Sequence, residues 1–165
     1  SVGSVRIGGT RFDYSIMEYI RRKYGLAIGE RSAEQIKIQV GSAMYMDKRL
    51  TMEIKGRDVI SGLPRIITIS SDDTTEALQH DMEGLIDAVK EVLHKTPPEL
   101  SADVMDKGII MSGGSSLLRN LDELISQATG VPCYVADEPL LCVAKGTGIA
   151  LENLETYKRS IMATK

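Results

Sequence analysis

The stretch Gly108-Ile-Ile-Met-Ser-Gly-Gly-Ser-Ser-Leu-Leu-Arg119 joins an apolar run to two glycines and the start of an amphipathic pattern. The run Ile109–Met111 is wholly apolar, which is typical of a strand covered on both faces. A helix with an apolar stripe then ends at Gly130, and residues 131–135 form a second strand. The stripe comprises Leu117, Leu121, Leu124, Ile125 and Ala128. Strand, glycine turn, helix and strand in this order predict a βαβ unit with parallel strands, and hence an α/β fold.

The clearest helix of the chain precedes this unit. Its apolar positions step by three or four residues over about four turns, and they are Leu78, Met82, Leu85, Val89 and Leu93. Asp72 and Asp73 are expected to cap its start. The helix should stop at Thr96-Pro97-Pro98, because a residue that precedes proline avoids the helical region. A short helix over residues 101–105 is predicted next.

The first forty residues predict a strand and two helices. Apolar residues at positions 2, 5 and 7 favour a strand that ends at Gly8-Gly9. Thr10 is the expected N-cap of the first helix, with Asp13 in a capping box and Gly25 as the stop. Its apolar stripe comprises Phe12, Ile16 and Ile20. The second helix is expected to start at Ser32, and its stripe comprises Ile36, Val40 and Ala43.

Two further regions complete the prediction of secondary structure. Residues 50–54 and 66–69 are rich in β-forming side chains and predict a pair of strands joined by a polar connection. Asp137 and Pro139 are expected to open a helix that Gly146 and Gly148 interrupt, and a last helix is predicted from about Ile149.

Length and composition limit the function classes. A chain of 165 residues with 42% apolar residues is one ordinary globular domain or two linked subdomains. A net charge of −3 gives no electrostatic footprint for nucleic acid. Cys133 and Cys142 predict two free thiols, with a disulfide as the alternative. Because residue 1 falls within a strand-like run, we expect the chain to be the C-terminal part of a longer protein.

The segment Ser112-Gly113-Gly114-Ser115-Ser116 is the first candidate binding element. Glycines between a strand and a helix let a flat ligand approach the backbone closely, and free helix amides can bind its oxygen atoms. The segment matches neither a Walker A loop nor the dinucleotide-binding fingerprint. A tight strand-to-helix turn without a ligand is the alternative.

Glu34 and Lys37 form the second candidate. At a spacing of three residues they share one helix face with Gly41. A carboxylate beside an ammonium could bind the two hydroxyls of a ribose. The alternative is a solvated ion pair within the helix, worth about 0.3–0.5 kcal/mol.

Seven segments in order along the chain resemble the MreB family, the bacterial actins that determine rod shape. They are Arg6-Ile-Gly-Gly-Thr-Arg-Phe-Asp13, Ile28-Gly-Glu-Arg-Ser-Ala-Glu-Gln-Ile-Lys37, Gly56-Arg-Asp58, Gly62-Leu-Pro-Arg65, Thr96-Pro-Pro-Glu-Leu100, the stretch 108–119, and Cys142-Val-Ala-Lys-Gly-Thr-Gly148. The resemblance extends from about residue 2 to residue 155.

The resemblance implies the second lobe of the actin-like ATPase fold, which is ribonuclease H-like, with a small α+β subdomain inserted. Residues 1–10 and 75–165 would form the base subdomain, and residues 11–74 the inserted one. Residues 113–116 would lie behind the adenosine, while Glu34 and Lys37 would face its ribose and base. Ser115 stands where the family pattern has a third glycine, which changes the close contact expected there.

The resemblance also implies what the chain leaves to the rest of the protein. The family's phosphate-binding loops, Mg²⁺-coordinating acid and water-activating glutamate all precede the position of residue 1. ATP or ADP with Mg²⁺ would bind to the complete protein, which would be a slow ATPase. This chain alone is expected to bind nucleotide weakly or not at all and to be inactive.

The implied function is a cytoplasmic filament at the inner face of the cell membrane that organises cell-wall elongation and rod shape. Its partners would be further copies arranged head to tail, the N-terminal lobe and membrane-associated elongation proteins, without direct membrane contact by this chain. Two alternatives stay open. One is a lobe of another ATPase of the superfamily, of chaperone or sugar kinase type, and the other is an adenosine-binding module that does not polymerise.

Overall fold

A computed structural model of the chain describes residues 1–162, with side chains described as far as residue 158. Seven α-helices lie within this range: α1 Gly9–Tyr24, α2 Glu30–Val40, α3 Ser71–His94, α4 Pro98–Lys107, α5 Leu121–Thr129, α6 Cys142–Glu152 and α7 Leu154–Met162. Five strands accompany them: β1 Leu26–Ala27, β2 Thr51–Asp58, β3 Pro64–Ser70, β4 Ile109–Met111 and β5 Cys133–Val135. None of these helices has both the length and the apolar character needed to cross a membrane.

An antiparallel sheet in the order β1-β2-β3 lies against the helices of the first half of the chain. The hairpin predicted from residues 50–54 and 66–69 is confirmed, with Ile54 opposite Ile67. The predicted apolar stripes of α1 and α2 are buried and meet those of the sheet and of α3 in one core. The fully buried side chains include Phe12, Ile16, Ile20, Leu26, Ile36, Ile69 and Leu78.

The predicted βαβ unit is confirmed at the other end of the chain. β4 and β5 pair in parallel, with Ile109 opposite Cys133, and α5 packs against them through Leu121 and Ile125. The expectation that β4 is covered on both faces is wrong for the described residues, because 63% of the Ile110 side chain is exposed. Cys133 and Cys142 are both free thiols, as predicted, and burial raises the pKa of Cys133.

The strand predicted over residues 2–7 is not formed. These residues have no strand partner within residues 1–162, and an extended segment becomes a strand only when a neighbour accepts and donates its backbone hydrogen bonds. An alternating apolar pattern does not show whether such a neighbour is present. The apolar pattern of residues 2–7 was therefore insufficient to predict a strand.

The two N-terminal helices start earlier than predicted. Gly8 is the N-cap of α1 and Gly29 the N-cap of α2, and neither helix has a side-chain cap. Thr10 and Ser32 therefore lie inside their helices. Glycine serves nearly as well as serine or threonine at the N-cap. The first serine or threonine of each helix therefore did not mark its start, and both predicted starts lay within one turn of the observed ones.

The C-terminal helices also differ from the prediction. α6 begins at Cys142, after the predicted start at Asp137 and Pro139, and it continues through Gly146 and Gly148. α7 begins only at Leu154. A glycine inside a helix costs about 1 kcal/mol relative to alanine, which weakens a helix without ending it. The final three residues of the predicted base subdomain, 163–165, lie outside the described residues. The division at residues 10 and 75 stays a prediction.

A buried carboxylate ties the start of α3 to the end of α1. Asp73 caps α3 as predicted, in a capping box with the N-cap Ser70. Asp72, the other predicted cap, forms an ion pair with Arg49 instead. Asp73 also accepts hydrogen bonds from Lys23 Nζ at 2.8 Å and from Tyr24 Oη at 2.8 Å. Burial alone would raise the pKa of Asp73, but the hydrogen bonds from Lys23, Tyr24 and Ser70 outweigh it and lower the pKa to about 2.

Replacing Asp73 with asparagine is expected to destabilise the chain by about 2 kcal/mol at pH 7, because a shift of one pKa unit corresponds to about 1.4 kcal/mol. The pKa is lower in the folded chain than the unfolded value near 3.9. The wild type should therefore lose this advantage as the pH falls from about 4 towards 2. Urea unfolding of both chains across this range measures the difference. Asp87→Asn, at an exposed position of α3, is the control, and an equal loss of stability in both variants would contradict the prediction.

Gly108 leads into β4 with a backbone conformation that only glycine adopts easily. Its φ is +79°, and an added Cβ would lie 2.7 Å from the Pro132 carbonyl oxygen and 2.8 Å from the Tyr134 ring. Gly130 has a similar φ of +73° with no atom within 4 Å of the added Cβ. Gly108 has a ψ of −176° and Gly130 a ψ of 6°. Gly108 thus combines a conformation almost restricted to glycine with a clash, whereas Gly130 carries only the cost of the left-handed helical conformation.

Gly108→Ala should lower the free energy of unfolding by about 2–5 kcal/mol, because backbone strain and overpacking add. Gly130→Ala should cost only about 1–2 kcal/mol, the cost of a left-handed conformation alone. Thermal and urea unfolding of the two variants beside the wild type measures both values. Equal losses in the two variants would contradict the prediction.

Candidate functional site

A cavity of 540 Å³ opens between the start of α1, the outer face of α2 and the segment that follows β4. Four of the six residues predicted from the sequence line it: Glu34, Lys37, Gly114 and Ser115. The two candidate motifs, which lie about eighty residues apart in the chain, therefore meet at one place. Cavities of this size are typical of small-molecule sites.

The side chain of Lys37 in α2 binds to residues of α1. Its Nζ lies 2.8 Å from Asp13 Oδ1 and donates a hydrogen bond to the Gly9 carbonyl oxygen at 3.2 Å. The alternative of an ion pair with Glu34 inside α2 is therefore wrong. The ammonium is held at a fixed position in the cavity wall, and its charge is balanced by Asp13.

Glu34 lies on the same face of α2, is exposed and lines the cavity. Within residues 1–158 its carboxylate forms neither an ion pair nor a side-chain hydrogen bond. An ionised carboxylate is a hydrogen-bond acceptor only. Glu34 therefore offers two oxygen atoms to a ligand that carries hydroxyl or amino groups.

The glycine segment forms a tight turn that also lines the cavity. Gly113 has a φ of +86°, and residues Gly114–Leu117 form a single 3-10 turn. An added Cβ on Gly114 would lie 3.2 Å from Leu140 Cδ2, so the absence of a side chain keeps this wall open. The expectation of free amides at the start of an α-helix is corrected here, because α5 begins only at Leu121.

Gly113 and Ser116 belong to the framework of the turn and do not line the cavity. Gly113 N donates to the Pro139 carbonyl at 2.8 Å. The buried Ser116 hydroxyl donates to the Gly113 carbonyl oxygen at 2.6 Å. Ser115 lies against the start of α1, since its Oγ would be 3.8 Å from a Cβ added to Gly8.

Sequence reasoning missed the apolar part of the cavity wall. It is formed by Phe12, Ile38, Leu117, Leu118 and Leu140. Ile38 lies off the buried stripe of α2, and both Ile38 and Leu140 are largely exposed. An apolar residue on the polar face of an amphipathic helix was the signal that could have identified this wall.

The lining suits a flat ligand with one apolar and one polar edge. Apolar side chains and an open glycine can hold a planar ring, while Glu34 and Lys37 can bind hydroxyl groups. The described residues contain no group of three or more His, Cys, Asp or Glu side chains that could hold a metal ion.

The sequence profile of the family described as MreB/Mbl protein matches residues 1–159. The chain belongs to the MreB/Mbl family. This membership decides against the alternative of a chaperone or sugar kinase lobe. It confirms the predicted fold class, which is an α/β lobe of the actin-like ATPase fold.

Two curated relatives cover almost all of this MreB/Mbl chain. The cell shape-determining protein Mbl of Bacillus cereus is 47% identical over 152 residues, which are 92% of this chain and 46% of the relative. The cell shape-determining protein MreB of Escherichia coli is 47% identical over 154 residues, which are 93% of this chain and 44% of the relative. The chain thus spans about half the length of these relatives.

A solved structure agrees with the same assignment. The crystal structure of MreB5 of Spiroplasma citri bound to ADP matches with a TM-score of 0.87 and 37% sequence identity. The match covers 96% of this chain and 47% of MreB5. The fold of the chain is therefore present as one half of a longer MreB protein.

Proposed function

We propose that the chain is the second lobe of a bacterial actin-like protein that forms ATP-dependent filaments and organises cell-wall elongation and rod shape. Membership in the MreB/Mbl family supports this, as do the names of relatives that determine cell shape. The observation that carries the site is the meeting of Glu34, Lys37 and the glycine turn in one cavity.

The cavity is proposed to hold the adenosine of ATP or ADP. The apolar wall and Gly114 would hold the base, and Glu34 would accept hydrogen bonds from the ribose hydroxyls. Lys37, fixed by Asp13, would complete the polar edge. The MreB5 structure is described as bound to ADP, and its similarity to this chain supports the same ligand class here.

The phosphates and Mg²⁺ are proposed to bind to residues outside this chain. In phosphoryl transfer, metal ions and phosphate-binding groups provide most of the catalysis. The residues of this chain that line the cavity would hold only the adenosine half of such a site. The complete protein would thus be a slow ATPase, whereas the isolated chain would be inactive and bind nucleotide weakly.

Filament formation would join copies of the complete protein head to tail. A heterologous contact that does not close into a ring produces such a filament. Exposed apolar residues on the connection between β2 and β3 support a contact surface on this lobe, since 97% of Ile60 and 65% of Leu63 are exposed. Membrane-associated elongation proteins at the inner face of the cell membrane would be further partners.

Glu34→Ala is expected to weaken ADP binding to the complete protein about tenfold, because a hydrogen bond to a charged group contributes about 1.5–3 kcal/mol. Calorimetric titration with ADP and Mg²⁺ measures the dissociation constant. Glu53→Ala, at an exposed position of β2, is the control. Unchanged affinity in Glu34→Ala would place the adenosine elsewhere.

Sedimentation of the complete protein tests polymerisation. Most of the protein should pellet with ATP and remain in the supernatant without nucleotide. Glu34→Ala should require a higher ATP concentration for the same pelleted fraction. Tight ATP binding without any pelleting would favour the alternative, an adenosine-binding module that does not polymerise.

A further inference from the structure

Arg119 links the glycine turn to the end of α2. Its Nη1 donates to the carbonyl oxygens of Ile38 at 3.0 Å and Gly41 at 3.2 Å. These carbonyls lie at the C-terminal end of α2, where backbone acceptors lack partners within the helix. A cation at a helix C-terminus is also favoured by the helix dipole. The guanidinium thus binds α2 from outside the helix.

The backbone beside Arg119 strengthens this connection. Ala43 N donates to the Arg119 carbonyl at 2.8 Å, and Ser42 forms an isolated parallel bridge with Arg119. The next residue, Asn120, adopts a φ of 60°, and its amide lies 3.4 Å from the buried Ser42 hydroxyl. The segment that follows α2 is therefore fixed directly to the segment that follows the glycine turn.

Arg119 joins the two walls of the cavity without lining it. One wall belongs to α2, where Ile38 is both a cavity residue and a partner of the guanidinium. The other wall belongs to the 3-10 turn, which includes Gly114 and Ser115 and is followed closely by Arg119. The distance between the walls thus depends on bonds that Arg119 makes.

We propose that Arg119 is a positioning residue of the adenosine site, which holds Glu34 and Lys37 at a fixed distance from the glycine turn. This inference rests on the function proposed above. Loss of the guanidinium removes the partner of two helix-end carbonyls, and α2 can then move relative to the turn. A ligand that must contact both walls loses affinity as a result.

The test is calorimetric titration of the complete protein with ADP and Mg²⁺. Arg119→Ala is expected to raise the dissociation constant about tenfold while the binding stoichiometry stays near one. Arg119→Lys should restore part of the affinity, because one ammonium can donate to both carbonyl oxygens. Arg21→Ala is the control and should bind ADP as the wild type does. Arg21 is an exposed arginine of α1, and among the described residues its only ion pair is a 4.0 Å contact within the same helix.

The two measured quantities separate a positioning role from a purely structural one. A variant that is partly unfolded lowers the stoichiometry of binding, whereas a displaced wall raises the dissociation constant. Lower stoichiometry with an unchanged dissociation constant in Arg119→Ala would overturn the inference. If Arg119→Ala does not fold, Arg119→Met takes its place as the variant without a donor, and wild-type affinity in Arg119→Met would equally overturn the inference.

The outcomes also distinguish this inference from the proposed function. Wild-type affinity for ADP in both Arg119 variants, beside weaker binding in Glu34→Ala, would overturn the inference and leave the adenosine site intact. Absence of ADP binding by the wild-type complete protein would overturn both.

Discussion

Burial of the apolar stripe of α2 is the constraint on which the rest of the structure depends. Ala33, Ile36 and Val40 are buried against α1, the antiparallel sheet and α3. Successive residues of a helix are rotated by a fixed angle about its axis. Burial of this stripe therefore also fixes the direction in which the opposite face of α2 points. Glu34, Lys37 and Ile38 must then face outwards, where the cavity lies.

Charged side chains between the helices fix the relative positions of helices that the apolar packing brings together. Asp73 fixes the start of α3 to the end of α1, and the almost fully buried Asp81 of α3 accepts hydrogen bonds from Arg11 and Ser15 of α1. A buried carboxylate without partners would be strongly destabilising, so each pair permits only a narrow range of relative positions of α1 and α3. Lys37 and Asp13 impose the same kind of restriction between α2 and α1.

At the glycine turn, the parallel β4-β5 unit meets helices α1 and α2. The segment after β4 completes the cavity together with Leu140, which follows β5, and Gly114 leaves room that a side chain would fill. The family assignment relates this arrangement to longer proteins, among them relatives described as cell shape-determining proteins, of which the chain spans about half.

The sequence by itself determined most of the helices and strands. Periodicity identified the buried stripes of α1, α2 and α3, the hairpin and the parallel unit, because side-chain spacing reflects local backbone geometry. Family segments identified the fold and four residues that line the cavity. Local patterns failed at glycine caps and at residues 2–7, where the outcome depends on neighbours. Only the tertiary structure paired Lys37 with Asp13, placed Leu140 in the wall and brought Arg119 to the end of α2, since these contacts join residues that no sequence spacing relates.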